Sequence, residues 1–373
     1  PMLSCVHPMP RSTTPAPASL VWSMGHFFGP GTWLPWGIPF AHTHRPDWNA
    51  LSNQHFGNPL SEQRKLSEGN AIVLREDLRV IDVRGEEAMK WLHSLTSQNI
   101  MNLAVGDSTE TLLLTPNGHI EFQIKVVVTE GSCLLIVASE QVAALMTWLS
   151  KMIFRTKVQI LESDLLVVGT FKELELAAPC WVDGFSLPAQ GSVQYAASRA
   201  QFPYREYLVS ALPDIERAGL MAFEALRIAA GRPEITDIDG HSLPHEFDWL
   251  SSAVHLSKGC YRGQESVAKI HNLGHPPRRL IILHLEQGDV LANPGETVFY
   301  GDKEVGKVLS AALHFELGSI ALALVSRVTP YLDLQIAVGE NRYVATQQVL
   351  VPHDAGKAAN LPRPAAFKLS GRK

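Results

Sequence analysis

From residue 280 to residue 351 the chain reads as six short β-rich runs, at 280–285, 296–300, 304–312, 320–325, 334–338 and 343–351. Turn residues separate them and no helical period interrupts them. Strands this short and this close together bury their apolar faces only by folding onto one another, so the spacing predicts a small barrel or sandwich. The stretch before them is mixed. Alternation at 71–83 fits one or two strands, and 86–100 fits a helix with Met89, Leu92 and Leu95 or Thr96 on one face. Two alternating runs, 109–115 and 120–128, flank Pro116-Asn117-Gly118, a strong hairpin signal. Strand follows at 133–138, where Cys133 reads as a core residue. The best helix is 140–153, with Val142, Leu145, Met146, Leu149, Met152 and Ile153 at helical spacing. Strands return at 158–161 and 165–170. A Gly/Pro/Ser-rich connection at about 178–203 leads to a strand at 205–210 and a short helix at 223–230 closed by Gly231 and Pro233. Hairpins with crossing helices make an α+β layer rather than a doubly wound sheet.

A chain of 373 residues is long for one domain, so two or three are expected. The net charge of −5 gives no general reason to bind nucleic acid; only Arg278 and Arg279 cluster, so RNA contact would have to be local. Cys5, Cys133, Cys180 and Cys260 are far apart with no Cys-x-x-Cys pair. A zinc ribbon or complete cluster-binding set is therefore not expected, and the usage fits a reducing cytoplasm. No apolar run reaches the length of a membrane span. Residues 1–52 are rich in Pro, His, Trp and Gly without sustained periodicity. They read as a poorly ordered extension, a mis-called start being one explanation, and fit a signal peptide badly. Gly-x-Gly-x-x-Gly, P-loop and Gly-x-Ser-x-Gly motifs are absent.

The chemistry concentrates in Lys258-Gly259-Cys260-Tyr261-Arg262-Gly263-Gln264-Glu265. Lys258 and Arg262 each lie two residues from the sulfur, and nearby positive charge favours a thiolate. Gly259 and Gly263 remove side chains that would hold a ligand away from the backbone. The periodic run from Gln264 to Ile270 places the cysteine just before a helix N-terminus. A reactive or ligating thiol fits this setting; a buried small hydrophobe is the competing reading.

The octapeptide resembles the signature of the YgfZ family of folate-binding proteins, relatives of the glycine-cleavage T-protein (aminomethyltransferase). Trp91 to Gln98, Phe223 to Gly231 with Leu243-Pro244-His245-Glu246, and Val305 to Ser310 agree with that family over residues 53–352. The resemblance implies an α+β fold: a T-protein-like multidomain ring with ferredoxin-like α+β portions and a C-terminal small β-barrel. The expected divisions are 1–52 for the extension, 53–278 for folate-binding α+β domains, 279–352 for the barrel and 353–373 for a polar tail.

The resemblance also implies binding of tetrahydrofolate or a one-carbon derivative. With it comes a role in assembly or repair of iron–sulfur proteins, including tRNA-modifying enzymes, with those proteins or their assembly machinery as partners. Cys260 is then the key thiol, supported by Lys258 and Arg262. Glu206 matches the T-protein glutamate that reads the pterin edge, since a carboxylate accepts two N–H groups. Arg227, and less directly Arg205 and Arg262, are candidates for the carboxylates of the folate tail. Tyr261, Gly263, Gln264 and Glu265 complete the implied cofactor set. One departure matters: by register the T-protein's catalytic aspartate falls on Phe122, with Glu121 beside it but on the opposite face of the strand. This weighs against aminomethyl transfer. A folate-dependent aminomethyl- or methyltransferase and a non-enzymatic folate-regulated scaffold remain the alternatives.

Overall fold

The chain enters through α1 (Pro59–Ser67), begun by Asn58, whose side chain accepts from the Leu60 and Ser61 amides, and β1 (Ile72–Leu74). These belong to a computed structural model that describes residues 53–359; the extension at 1–52, Cys5 and the tail from residue 360 lie outside the described residues. Next come β2 (Leu78–Arg84), α2 (Ala88–Leu95), β3 (Ser108–Leu114), β4 (Ile120–Thr129), β5 (Ser132–Ala138), α3 (Val142–Lys151) and β6 (Gln159–Ser163). Their strands form an antiparallel sheet in the order β3-β4-β5-β2-β6. Period-two alternation gives this sheet two apolar faces. Ile81, Val83, Ile124, Val126, Cys133 and Leu135 meet Leu92, Leu145 and Leu149 of α2 and α3. Val80, Val127, Leu134 and Ile136 face the other way into a second core.

The β3–β4 hairpin forms as its turn residues predict, with Gly118 at φ +80°. Both helices are shorter than their periodicity suggests. α2 stops at Leu95 because β3 captures the chain: the Ser97 amide donates to the Leu112 carbonyl and the Gln98 amide to Thr111 Oγ1. α3 is preceded by a 3₁₀ turn, Ser139–Gln141, in place of its expected first turn.

β7 (Leu166–Thr170), β8 (Cys180–Val182), β9 (Arg205–Val209) and β10 (Arg217–Ala218) join β1 in a second sheet, β10-β1-β7-β9-β8. Only β1 and β10 run parallel. α4 (Leu220–Ala229) lays Phe223 and Leu226 on this sheet beside Trp181, Tyr204 and Leu208. Gly231, at φ +69°, ends it.

Residues 231–255 are irregular yet almost wholly buried. Buried irregular backbone must find partners for its polar groups, and acidic side chains supply them. Asp237 Oδ2 accepts from the Glu234 amide, Glu246 Oε2 from the Leu243 amide, and Asp248 from the Tyr195 and Ala196 amides. Phe247, Trp249, Leu250 and Ala253 then anchor the stretch to an apolar wall that includes Leu280, Ile282, Ile320 and Leu322.

α5 (Gln264–Leu273) leads into β11 (Arg278–Leu285), β12 (Thr297–Tyr300), β13 (Lys303–His314), β14 (Gly318–Ser326), β15 (Leu334–Val338) and β16 (Asn341–Val349). These close into a barrel, β11-β14-β13-β12-β15-β16, rather than a sandwich. Ile281, Leu283, Ala321, Ala323, Val298 and Ile336 fill its interior, while the alternate residues of β11 and β14 form the wall just described.

Candidate functional site

The octapeptide is a short loop tied down on both sides of an exposed cysteine. Lys258 does not point at the sulfur. Its Nζ donates to the carbonyls of His93, Thr96 and Gln98, at the end of α2 and just past it. Those carbonyls lack helical partners, so the ammonium acts as a C-terminal cap. Burial pushes the Lys258 pKa down to about 8. On the other side, Arg262 Nη1 pairs with Glu121 Oε2 at 2.5 Å. Tyr261 is buried in the core that also holds Phe247 and Trp249.

Gly263 is the N-cap of α5 at φ +86°, and a Cβ there would meet the Thr115 carbonyl at 2.5 Å. The close approach is therefore to the chain's own hairpin. Gly259 has open space around its missing side chain. Gln264 Nε2 bridges back to the Lys258 carbonyl at 3.4 Å, and Glu265 is exposed on α5. Between these anchors Cys260 is exposed, which removes the buried-hydrophobe reading. Cys133 is that kind of residue, with burial pushing its thiol up to about 11.

Beneath the second sheet lies an arrangement that sequence reading missed, a buried array of charges. Arg75, fully enclosed, bonds Asp77 at 2.6 Å, Glu234 at 2.9 Å and Glu206 at 3.2 Å. Lys125 Nζ reaches Glu206 Oε1 at 2.6 Å and lies 4.7 Å from the Trp181 ring centre. Arg227 bonds Glu224 and Asp237, and the Glu234 amide donates to the same Asp237. Five carboxylates (Asp77, Glu206, Glu224, Glu234 and Asp237) thus surround three cations (Arg75, Lys125 and Arg227). Burial raises the Glu206 carboxyl, and Lys125 and Arg75 pull it back. Burial would also raise Glu234, but Arg75, Lys125 and Arg227 together hold it well below the usual carboxylate range.

Glu206 Oε1 takes both Lys125 and Arg75, whereas Oε2 is buried without any partner. An unmet carboxylate oxygen in such a place is rare and calls for a donor. Gly169 makes room for the neighbouring Tyr204, whose Oη would lie 2.1 Å from a Cβ there.

No family model matches this chain. A putative chloroplastic transferase of Arabidopsis thaliana is 34% identical over 142 residues, 35% of this chain and only 31% of that protein. An aminomethyltransferase of Rippkaea orientalis is 29% identical over 308 residues, 68% of this chain and 80% of that one. The crystal structure of the glycine cleavage system aminomethyltransferase T from Bartonella henselae superposes with a TM-score of 0.63 at 17% identity. It covers 79% of this chain and 89% of its own. The fold is that of an aminomethyltransferase.

Within this aminomethyltransferase fold several sequence-derived roles need correction. The cations flanking Cys260 are engaged elsewhere, Lys258 by helix-end carbonyls and Arg262 by Glu121, so they clamp the loop instead of facing the thiol. At Gly263 the missing side chain makes room for the hairpin's Thr115 carbonyl. Arg227 is fully buried and holds four hydrogen bonds to Glu224, Asp237 and the Arg232 carbonyl, which leaves it poorly placed for a ligand's tail. Arg205 neighbours Glu206 on β9, so it points to the other face, toward Glu173 at 3.3 Å.

Arg278 and Arg279, the one cluster of cations in the sequence, are both tied into the fold, Arg278 with 27% of its side chain still exposed. Arg278 joins Asp239 and Glu246, and Arg279 is fully buried. Phe122 packs on the α2/α3 side, while Gln123 and Lys125 project toward Glu110 and Glu206. The octapeptide and the array are held by separate sets of partners.

Lys125 was the available signal for the array: it breaks an otherwise apolar run, Ile124 to Val128.

Proposed function

We propose that this chain binds a reduced folate at Glu206 and serves the assembly or repair of iron–sulfur proteins through the exposed thiol of Cys260, as a YgfZ-type factor. The observation that carries the folate half is the unpartnered Oε2 of a fully buried Glu206. A pterin presents an amide-like edge of N–H donors, and a buried carboxylate oxygen without a donor fits such an edge. Glu206 would hold that edge, with Lys125 and Arg75 keeping its other oxygen in place. Bound tetrahydrofolate supplies one-carbon chemistry. Relatives described as a transferase and an aminomethyltransferase support a folate-type ligand here.

The thiol half rests on the octapeptide and on the exposure of Cys260. A protein-held cluster generally needs about four ligands, so one exposed cysteine suits a transient partner rather than a resident cluster. Clients are then iron–sulfur proteins, tRNA-modifying enzymes among them, in a reducing compartment such as the cytoplasm. No helix of the described residues is long and apolar enough to cross a membrane. Aminomethyl transfer is disfavoured because β4 turns Lys125 toward Glu206 and Gln123 toward Glu110, while its one acid, Glu121, pairs with Arg262.

Calorimetric titration with tetrahydrofolate should show saturable binding by the wild type and at least about tenfold weaker binding by Glu206→Gln, the loss of one charged hydrogen bond. Absence of binding by the wild type removes the reading. Cys260→Ala should fail to restore cluster-enzyme activity in cells lacking the native protein. Full rescue, together with folate binding, would leave a folate-regulated scaffold, and turnover of a one-carbon donor would favour the transferase.

A further inference from the structure

Arg279 is the exception among the buried arginines. Arg75, Arg199, Arg227 and Arg232 each meet at least one carboxylate within 2.8 Å. Arg279 is equally enclosed, with 0% of its surface exposed, and among the described residues it has no acidic partner. Only its Nη2 is used, and on neutral acceptors: the Thr329 carbonyl at 2.9 Å and Gln347 Oε1 at 3.0 Å. Nε and Nη1 are buried without acceptors, and so is the hydroxyl of Thr329. A guanidinium stays charged, and an enclosed charge without a counter-charge is strongly unfavourable.

The surroundings supply a fixed frame. Gln347 Nε2 donates to the carbonyls of Pro330 and Leu332 and so ties the β14–β15 connection to β16. Tyr331 covers the guanidinium, its ring centre 4.9 Å away, and is itself 47% exposed. Its Oη accepts from the His353 amide at 2.7 Å. The cation therefore lies one aromatic ring below the surface, under a connection that also exposes Val328 and Leu332.

We propose that Arg279, Thr329 and Tyr331 form a binding site for an anionic oxygen group, a carboxylate or a phosphate, at this end of the barrel. The ligand enters beside Tyr331 and receives the unused N–H groups of Arg279 and the hydroxyl of Thr329. The site is built from barrel residues alone and does not depend on the reading of Glu206 or Cys260.

The test is calorimetry on the full chain with inorganic phosphate and, separately, with glutarate, each against chloride at equal ionic strength. The expected result is saturable binding of at least one anion, abolished in Arg279→Gln and weakened about tenfold in Thr329→Val, which loses one hydrogen bond to an anion. Thr329→Val is nearly isosteric and keeps the test open should Arg279→Gln fail to fold. Phosphate binding alone assigns a phosphoryl ligand, and glutarate binding alone a carboxylic acid. Neither anion binding the wild type above chloride, or both variants binding as tightly as the wild type, overturns the proposal.

Discussion

The thiol loop and the buried charge array solve opposite problems with the same residue types. Around Cys260, Lys258 and Arg262 reach away from the exposed sulfur to secure the ends of a loop, leaving its middle open. Around Glu206, Arg75 and Lys125 reach inward, and what stays unmet is a single carboxylate oxygen sealed from water. A cation next to the thiol in sequence is thus a clamp, and cations distant in sequence are the ones that touch the buried carboxylate. Proximity along the chain and proximity in the fold carry different information, and here the second decides the electrostatics.

The contrast is broken most severely at Arg75. Arg75→Leu leaves Asp77 without its cation in the interior and Lys125 as the cation shared by Glu206 and Glu234, and should cost about 3–5 kcal/mol, read from urea unfolding. A loss below about 1 kcal/mol would mean that the array tolerates an unpaired carboxylate, as a surface would.

A smaller effect should appear with pH. Burial lowers the pKa of His245, which packs beside Tyr195 and donates from Nε2 to the Val267 carbonyl, from 6.5 to about 4, and nearby His271 adds to the shift. Between those values the unfolded chain binds the extra proton, so stability falls as pH drops through the window. From pH 7 to pH 5 the loss from this residue should be about 2 kcal/mol. His245→Gln should flatten that slope; an unchanged slope would assign it to other groups.

The smallest effect on stability belongs to the thiol. Cys260→Ser should shift unfolding by no more than about 0.5 kcal/mol, as for an exposed position. In the native protein, iodoacetamide followed by peptide mass spectrometry should label Cys260 well before the buried Cys133, whose thiol is held up near 11. Labelling in the reverse order would contradict a loop held open.

The barrel strands were legible because alternation and turn residues are local signals, as was the β3–β4 hairpin at Pro116-Asn117-Gly118. The helix ends were not, since β3 takes residues 97–98 for its own hydrogen bonds and cuts short a pattern that continues in sequence. Cys260 stood out through its motif, but its neighbours' roles did not, because the carbonyls that draw Lys258 away belong to residues 93–98. The array was the least legible part. Arg75, Lys125, Glu206 and Glu234 are far apart in sequence, and each alone looks like an ordinary surface charge; Glu206 stood out through the family resemblance, and the lone lysine amid Ile124, Val126 and Val127 was the hint in the residues themselves.

Gly118 and Gly263 both adopt left-handed backbone, and they touch: a Cβ on Gly263 would come within 3.2 Å of Gly118 Cα, and one on Gly118 within 3.6 Å of the Gly263 carbonyl. Two places where the chain takes the handedness of a D-residue are thereby pressed together, one in a hairpin turn and one in the thiol motif. A single methyl group added at either is felt at both. The turn is in effect a remote letter of the octapeptide, and tolerance to change at one is set by what occupies the other.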